Sequence, residues 1–133
     1  MTAVVATRPK AVGQGTLLLG IAFSTGLVLM GERLVQKLPN IPAPLIYCTL
    51  ALALTPLLGL IFLAFRGYNW ARITCISLVA IRVLFGVPRV ISEFGYTPTL
   101  AIIGLMVIAL ELAAAYLLLS GPSNAWFRAV RRP

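Results

Sequence analysis

The chain has 133 residues, of which 60% are hydrophobic and 11% are charged, and its formal net charge is +8. A soluble domain is typically about half apolar and about a quarter charged, so this composition indicates a membrane protein. The basic residues lie in the gaps between long apolar runs and form no basic stripe with interleaved aromatic residues. The charge therefore carries information about membrane topology, and no nucleic-acid partner is expected.

The residue types that carry most catalytic and metal chemistry are scarce in this chain. It contains no His and no Asp, and its acidic residues are Glu32, Glu93 and Glu111. Cys48 and Cys75 fall near opposite membrane surfaces and lack C-x-x-C spacing, so we expect packing residues rather than a disulfide or a zinc site. We therefore predict that the protein is not an enzyme and holds no metal and no cofactor.

Four apolar runs predict an all-α fold, a four-helix transmembrane bundle built from two helical hairpins. The predicted membrane domain covers residues 15–122, between a flexible N-terminal tail at 1–14 and a basic amphipathic tail at 123–133 that anchors at the membrane surface. At ~1.5 Å per residue, the second run reaches ~33 Å and crosses a hydrocarbon core of ~30 Å. The predicted spans cover, in chain order, residues 15–35, 44–65, 73–91 and 99–119.

The first span carries small residues at helical spacing. Gly20 and Ser24 form one small-x-x-x-small pair, and Ala22 and Gly26 form a second. Such pairs let another helix approach closely, either within the bundle or in a homodimer, and packing within the bundle is the favoured interpretation. No small-x-small cleavage site follows Met30, so the span is predicted to be retained rather than removed as a signal peptide.

Prolines mark the ends and the middle of the later spans. Residues 38–44 contain three prolines and predict a tight, rigid external loop. Pro56 predicts a bend in the second span, which is explained by packing more simply than by a transporter hinge. The third span is short unless it continues through Pro88, a point that the sequence leaves open. Thr97 and Pro98 predict the N-cap and the first helical position of the fourth span.

A polar turn joins the two hairpins and carries the densest group of distinctive side chains. Its Tyr and Trp suit the headgroup layer, and its Arg residues are placed to meet anionic lipid at the cytoplasmic face of the bilayer. Interfacial anchoring explains these residues, and docking of a cytoplasmic partner is the alternative. The residues concerned are Arg66, Tyr68, Asn69, Trp70 and Arg72 in the turn, and Trp126, Phe127 and Arg128 in the tail.

The distribution of Lys and Arg predicts the orientation of the bundle. With four spans both termini lie on one side, and the opposite side holds only Arg33, Lys37 and Arg89. The positive-inside rule then places both termini in the cytoplasm. Arg89 and Glu93, four residues apart at the outer surface, are expected to form a solvated helical pair. The basic residues on the cytoplasmic side are Arg8, Lys10, Arg66, Arg72, Arg128, Arg131 and Arg132.

Two charged residues lie deep within the predicted spans, away from the span ends: Arg82 in the third and Glu111 in the fourth. An ionised side chain near the bilayer centre costs ~3 kcal/mol on insertion scales, so each residue needs a partner. Arg82 lies nine residues after Ile73, and Glu111 lies nine residues before Ser120, where the fourth span has ended. Both therefore lie roughly 13 Å from the cytoplasmic side at ~1.5 Å per residue, and we predict an ion pair that faces the bundle interior.

The favoured role of this pair is structural, holding the second hairpin in register. One alternative is a proton or cation site at Glu111 that Arg82 tunes. The other is that the two residues do not meet and that Arg82 snorkels towards the membrane surface.

Three short segments resemble a family of small four-span bacterial inner-membrane proteins without an assigned activity. The segments are R-P-K at residues 8–10, R-G-Y-N-W-A-R at 66–72 and P-S-N-A-W-F-R at 122–128, which match the patterns R-G-x-N-W-A-R in the cytoplasmic turn and P-x-N-x-W-F-R in the tail. The resemblance implies the fold and a bacterial inner-membrane location. Small multidrug exporters and vitamin-K-epoxide-reductase-like proteins are disfavoured, since the first span has no carboxylate within the membrane and there is no C-x-x-C.

Short predicted loops leave the lipid-facing helix sides and the turn at residues 66–72 as recognition surfaces. We expect a non-catalytic integral membrane protein that binds another membrane or membrane-inserted protein, as an accessory subunit or an immunity-type protector. The alternative is a small oligomeric transporter or channel component that uses Glu111 and Arg82 in the membrane. The expected partners are the lipid bilayer and either a membrane protein or further copies of the chain.

Overall fold

The computed structural model describes residues 7–130, which form five α-helices. The first four are each long and apolar enough to cross a membrane. The predicted all-α four-helix bundle is therefore confirmed, and the protein is a multi-pass membrane protein. The helices are α1 (Lys10–Lys37), α2 (Ala43–Phe65), α3 (Asn69–Glu93), α4 (Pro98–Leu119) and α5 (Gly121–Val130).

The four long helices form a closed ring in which each packs against its neighbours in sequence, and α1 also packs against α4. The connections at residues 38–42, 66–68 and 94–97 are short, so consecutive helices run antiparallel. The turn at 66–68 and α5 lie at one end of the bundle, which we call the α5 end. The connections at 38–42 and 94–97 lie at the other, which we call the loop end.

The first helix is longer than the sequence predicts. It begins at Lys10, directly after Pro9, so residues 10–14 belong to the helix rather than to a flexible tail. The physical reason is Val12, whose side chain is fully buried against Trp126 and Phe127. The helical backbone at residues 10–14 places Val12 against Trp126 and Phe127. The polar composition of the N-terminal segment gives no indication of this contact.

Two helices run without interruption through an internal proline. The third helix continues past Pro88 to Glu93, which answers the question that the sequence left open. In α2, Pro56 lies inside the helix, and the preceding Thr55 hydroxyl donates to the Ala51 carbonyl at 3.2 Å. At the start of α4, Thr97 occupies the N-cap position and Pro98 the first helical position, as predicted, although the Thr97 side chain makes no capping hydrogen bond.

The main core lies in the half of the bundle next to the α5 end. All four long helices contribute, and α1 and α4 approach so closely that a Cβ at Gly15 would lie 3.1 Å from Leu118. Cys75 is buried in this core, as predicted, whereas Cys48 is exposed on α2 and does not pack there. The buried members of the cluster are Leu19, Phe23, Ile61, Cys75, Val79, Ala114 and Leu118.

The C-terminal segment is a helix that packs on the end of the bundle. Trp126 and Phe127, predicted to face the interface or a partner, are 7% and 2% exposed and pack with Val12. The two rings meet edge to face, with centroids 4.9 Å apart. The amphipathic pattern therefore describes a helix that covers the end of its own bundle. The predicted contributions of Arg131 and Arg132 lie outside the described residues.

Candidate functional site

Arg82 and Glu111, the two charged residues deep in the predicted spans, contact each other in the structure. Arg82 Nη2 lies 3.0 Å from Glu111 Oε1, across the interface between α3 and α4. The two side chains differ sharply in exposure, since Glu111 is 1% exposed and Arg82 is 35% exposed. The carboxylate is therefore enclosed by the bundle, while the guanidinium also reaches an opening.

The guanidinium of Arg82 also packs against α1. The sequence alone did not predict this contact. Its Cζ atom lies 4.8 Å from the centroid of the Phe23 ring, within cation–π range. A Cβ atom at Gly26 would overlap the guanidinium, so the absence of a side chain there makes room for it. Phe23 and Gly26 are three residues apart on one helix face. Three helices therefore form this centre, since the ion pair joins α3 to α4 and α1 encloses its guanidinium.

A second ionic cluster lies nearer the loop end. Glu93 contacts Arg33 of α1 at 2.5 Å and Arg89 of α3 at 3.4 Å. The side chains of Arg33 and Glu93 are 14% and 17% exposed. The predicted pair between Arg89 and Glu93 is therefore present, and Arg89 is exposed, but Arg33 also reaches the carboxylate from α1 and partly withdraws it from solvent. The signal in the sequence is the seven-residue spacing from Gly26 to Arg33, which places both on one face of α1.

These two clusters line one opening between α1 and α3, which we call the arginine groove. It has a volume of about 280 Å³ and continues into an inner recess of about 70 Å³ that α4 closes. Its charged lining consists of Arg33, Arg82 and Arg89. Among residues 7–130, no three His, Cys, Asp or Glu side chains come together as a metal site. The chemistry that this lining suits is electrostatic and hydrogen-bonded recognition of an anion.

At the α5 end, Arg72 ties α3 to the docked helix. Its Nη1 donates to Asn124 Oδ1 at 2.7 Å and contacts the Leu118 carbonyl at 3.4 Å, and its Cζ lies 4.5 Å from the Phe127 ring centroid. Arg8 stacks on Phe65, with Cζ 3.6 Å from the ring centroid. Arg72, which is half-buried, therefore links α3 to α4 and α5 through contacts within the protein.

The turn next to Arg72 is shaped to receive α5. Gly67 has φ +97°, a left-handed conformation that favours glycine, and a Cβ there would lie 3.0 Å from Val130. Of the residues predicted to be interfacial, Arg66, Trp70 and Arg128 are exposed, and Tyr68 and Asn69 are half-buried. These five residues are thus accessible at the α5 end, whereas Trp126 and Phe127 are buried against the bundle.

The small-residue pairs of α1 face opposite ways. Ala22 is fully buried and Gly26 receives Arg82, so this pair serves packing within the bundle. Apart from the adjoining backbone of its own helix and its chain neighbours, no described atom lies within 4 Å of where a Cβ at Gly20 would be. Gly20 and Ser24 lie in a depression that also includes Leu58 of α2, and Ser24 links it to a second depression lined by Ala51. We call this continuous surface the α1–α2 groove.

Comparison of the chain with protein-family models, with curated proteins and with solved structures finds no match.

Proposed function

We propose that this protein is a non-catalytic integral membrane protein that binds another membrane or membrane-inserted protein. In this proposal it acts as an accessory subunit or as an immunity-type protector. The observation that carries the proposal is the α1–α2 groove, which runs along α1 from Thr16 to Val28. That distance is about 18 Å at ~1.5 Å per residue, more than three helical turns.

The occupant that this groove suits is a transmembrane helix of the partner. Helix association in lipid relies on close packing, because lipid chains are as apolar as the helix surfaces, and small residues allow backbones to approach. Gly20, Ser24 and Ala51 supply such residues on the outside of the bundle. The short connections at 38–42, 66–68 and 94–97 offer little surface for recognition in water.

Filling the groove is expected to remove the partner without unfolding the protein. The test is affinity purification from native membranes in mild detergent, with quantitative mass spectrometry, for wild type and for Gly20→Leu. We expect a stoichiometric membrane protein with wild type and at least tenfold less of it with Gly20→Leu, because the new side chain occupies the space of the partner helix. Gly59→Leu is the matched control, since Gly59 on α2 is also open but does not line the groove.

Two outcomes would contradict this proposal. One is a partner that is recovered equally with both Leu variants. The other is recovery of this chain alone as a defined oligomer, which Gly20→Leu disrupts and Gly59→Leu does not. That second outcome assigns the groove to self-association.

A small oligomeric transporter or channel component is the second candidate function. The observation that favours it is the 35% exposure of Arg82, which connects the buried Glu111 to the arginine groove. In this proposal Glu111 and Arg82 line the path of the transported species. It differs from the first candidate in requiring their charges for activity as well as for folding.

We further propose that the protein lies in a bacterial inner membrane with both termini in the cytoplasm. Five of the basic residues that the structure describes lie at the α5 end, whereas at the loop end Arg33 and Arg89 are paired with Glu93. The five are Arg8, Lys10, Arg66, Arg72 and Arg128. The resemblance of the turn and tail motifs supports the same location.

Cysteine labelling in a Cys48→Ala background tests this orientation. A membrane-impermeant maleimide is expected to label Asn40→Cys, in the loop at 38–42, from outside intact cells. It is expected to label Ala129→Cys, on the exposed side of α5, only in inverted vesicles. The reverse pattern would place the termini outside.

A further inference from the structure

We propose that the arginine groove binds the phosphate group of a membrane phospholipid whose acyl chains lie against the outside of α1 and α3. This site is separate from the α1–α2 groove and goes beyond the proposed function. It is carried by the charge of its lining, by a buried donor without an acceptor, and by the position of its opening.

The lining of the groove carries an excess of positive charge. Three guanidiniums, those of Arg33, Arg82 and Arg89, face two carboxylates, those of Glu93 and Glu111. One cation therefore remains uncompensated in a low-dielectric environment, where an unpaired charge is costly. A phosphodiester carries the single negative charge that would balance it.

The donors of the groove are also incompletely used. Arg33 Nε is buried and has no hydrogen-bond acceptor among residues 7–130. Arg82 and Glu111 form an ion pair at 3.0 Å, but Glu111 Oε1 has no hydrogen-bond partner within the part of the chain that the structure describes, so this contact lacks the geometry of a hydrogen bond. Arg89 is 44% exposed and uses its Nε towards Glu93. Guanidinium groups match the oxygen atoms of a phosphate through paired N–H donors.

The position of the opening indicates a lipid rather than a dissolved ion. The rim is formed by Met30 on α1 and by Ile81 and Phe85 on α3, which are 43%, 52% and 72% exposed. These apolar side chains are suited to contact acyl chains. Arg82 and Arg89 lie seven residues apart, about 10 Å along α3, so the groove extends from within the span towards its loop end. A headgroup can thus enter sideways from the bilayer.

Native mass spectrometry of the purified full chain in detergent tests this site. The probes are phosphatidylglycerol and diacylglycerol with the same acyl chains. Of these two lipids, diacylglycerol lacks the phosphate. We expect retention of phosphatidylglycerol and not of diacylglycerol. In Arg89→Gln the affinity for phosphatidylglycerol is expected to fall about tenfold, as for the loss of one charge-assisted hydrogen bond. Lys37→Gln is the matched control, because it removes an exposed charge at the same end but outside the groove.

A second pair of variants tests the rim and does not depend on how Arg89→Gln folds. Met30→Glu places a negative charge at the opening and is expected to weaken phosphatidylglycerol binding at least tenfold, whereas Met30→Gln, of the same shape, is expected to retain it. Equal retention of both lipids, or equal binding by each member of these matched pairs, would overturn the proposal. Displacement of the lipid by millimolar inorganic phosphate would identify a dissolved anion as the ligand and overturn the assignment to a lipid.

Discussion

Replacing Arg82 with Gln is expected to destabilise the bundle by about 3–5 kcal/mol, the cost of leaving a buried charge without its partner. Replacing Glu111 with Gln is expected to cost less, about 1–2 kcal/mol. The difference between the two costs follows from exposure. Glu111 is 1% exposed and cannot reach solvent when its partner is removed, whereas Arg82 is 35% exposed and can reorient into the arginine groove. The measurement is equilibrium unfolding in mixed detergent micelles, followed by tryptophan fluorescence.

The double variant Arg82→Gln with Glu111→Gln separates a structural pair from a functional one. It removes both charges and keeps similar side-chain volumes, so its stability is expected to lie within about 1 kcal/mol of wild type. If the protein acts by binding a partner, the double variant keeps partner binding. If it is a transporter component, the double variant folds and loses transport. Equal costs for both single variants would contradict the asymmetry that the structure predicts.

The third member of this centre can be tested from α1. Gly26→Ala is expected to displace the Arg82 guanidinium and to destabilise the protein in the wild-type background but not in Arg82→Gln. Gly20→Ala is the matched control on the same helix, since nothing lies within 4 Å of its Cβ position. An equal effect of Gly26→Ala in both backgrounds would show that the helix backbone, rather than Arg82, occupies the space.

The sequence was sufficient to predict the fold and the contact between Arg82 and Glu111. Span lengths and apolar runs determine four antiparallel helices, and equal distances from the span ends place Arg82 beside Glu111. It could not predict that α1 contributes Phe23 and Gly26 to the same centre, because the rotation of α1 about its axis depends on packing. For the same reason the two small-residue pairs of α1 could not be assigned to opposite faces.

The limits of the sequence prediction at the bundle ends have a different physical origin. Arg33 and Glu93 meet because α1 and α3 extend beyond the apolar runs, to Lys37 and Glu93. Hydropathy reports where a helix is in lipid, not where it ends. Similarly, a basic amphipathic segment has one apolar face, and its pattern is the same whether that face meets lipid or protein. In the present fold Val12 packs against that apolar face, together with Trp126 and Phe127.

Replacing Phe127 with Ala is expected to release α5 from the bundle, because Phe127 is 2% exposed and packs with Val12 and Trp126. The loss of a buried Phe typically costs about 3–5 kcal/mol, and 3 kcal/mol would raise the undocked population about 150-fold. Hydrogen–deuterium exchange of residues 121–130 measures this population. The four long helices are expected to keep their protection, since the main core lies within the bundle and does not include α5.

Phe62→Ala is the control for the Phe127 variant, since it removes the same side chain from a position on α2 that is 56% exposed. It is expected to leave exchange at residues 121–130 unchanged. Arg72→Gln provides an independent test, because it removes the hydrogen bond to Asn124 and the contact with the Phe127 ring but changes no residue of α5. Faster exchange of α5 in both Phe127→Ala and Arg72→Gln is expected if α5 is held by its contacts with the protein. Unchanged exchange in both variants would show that the membrane surface holds α5, as the amphipathic pattern alone suggests.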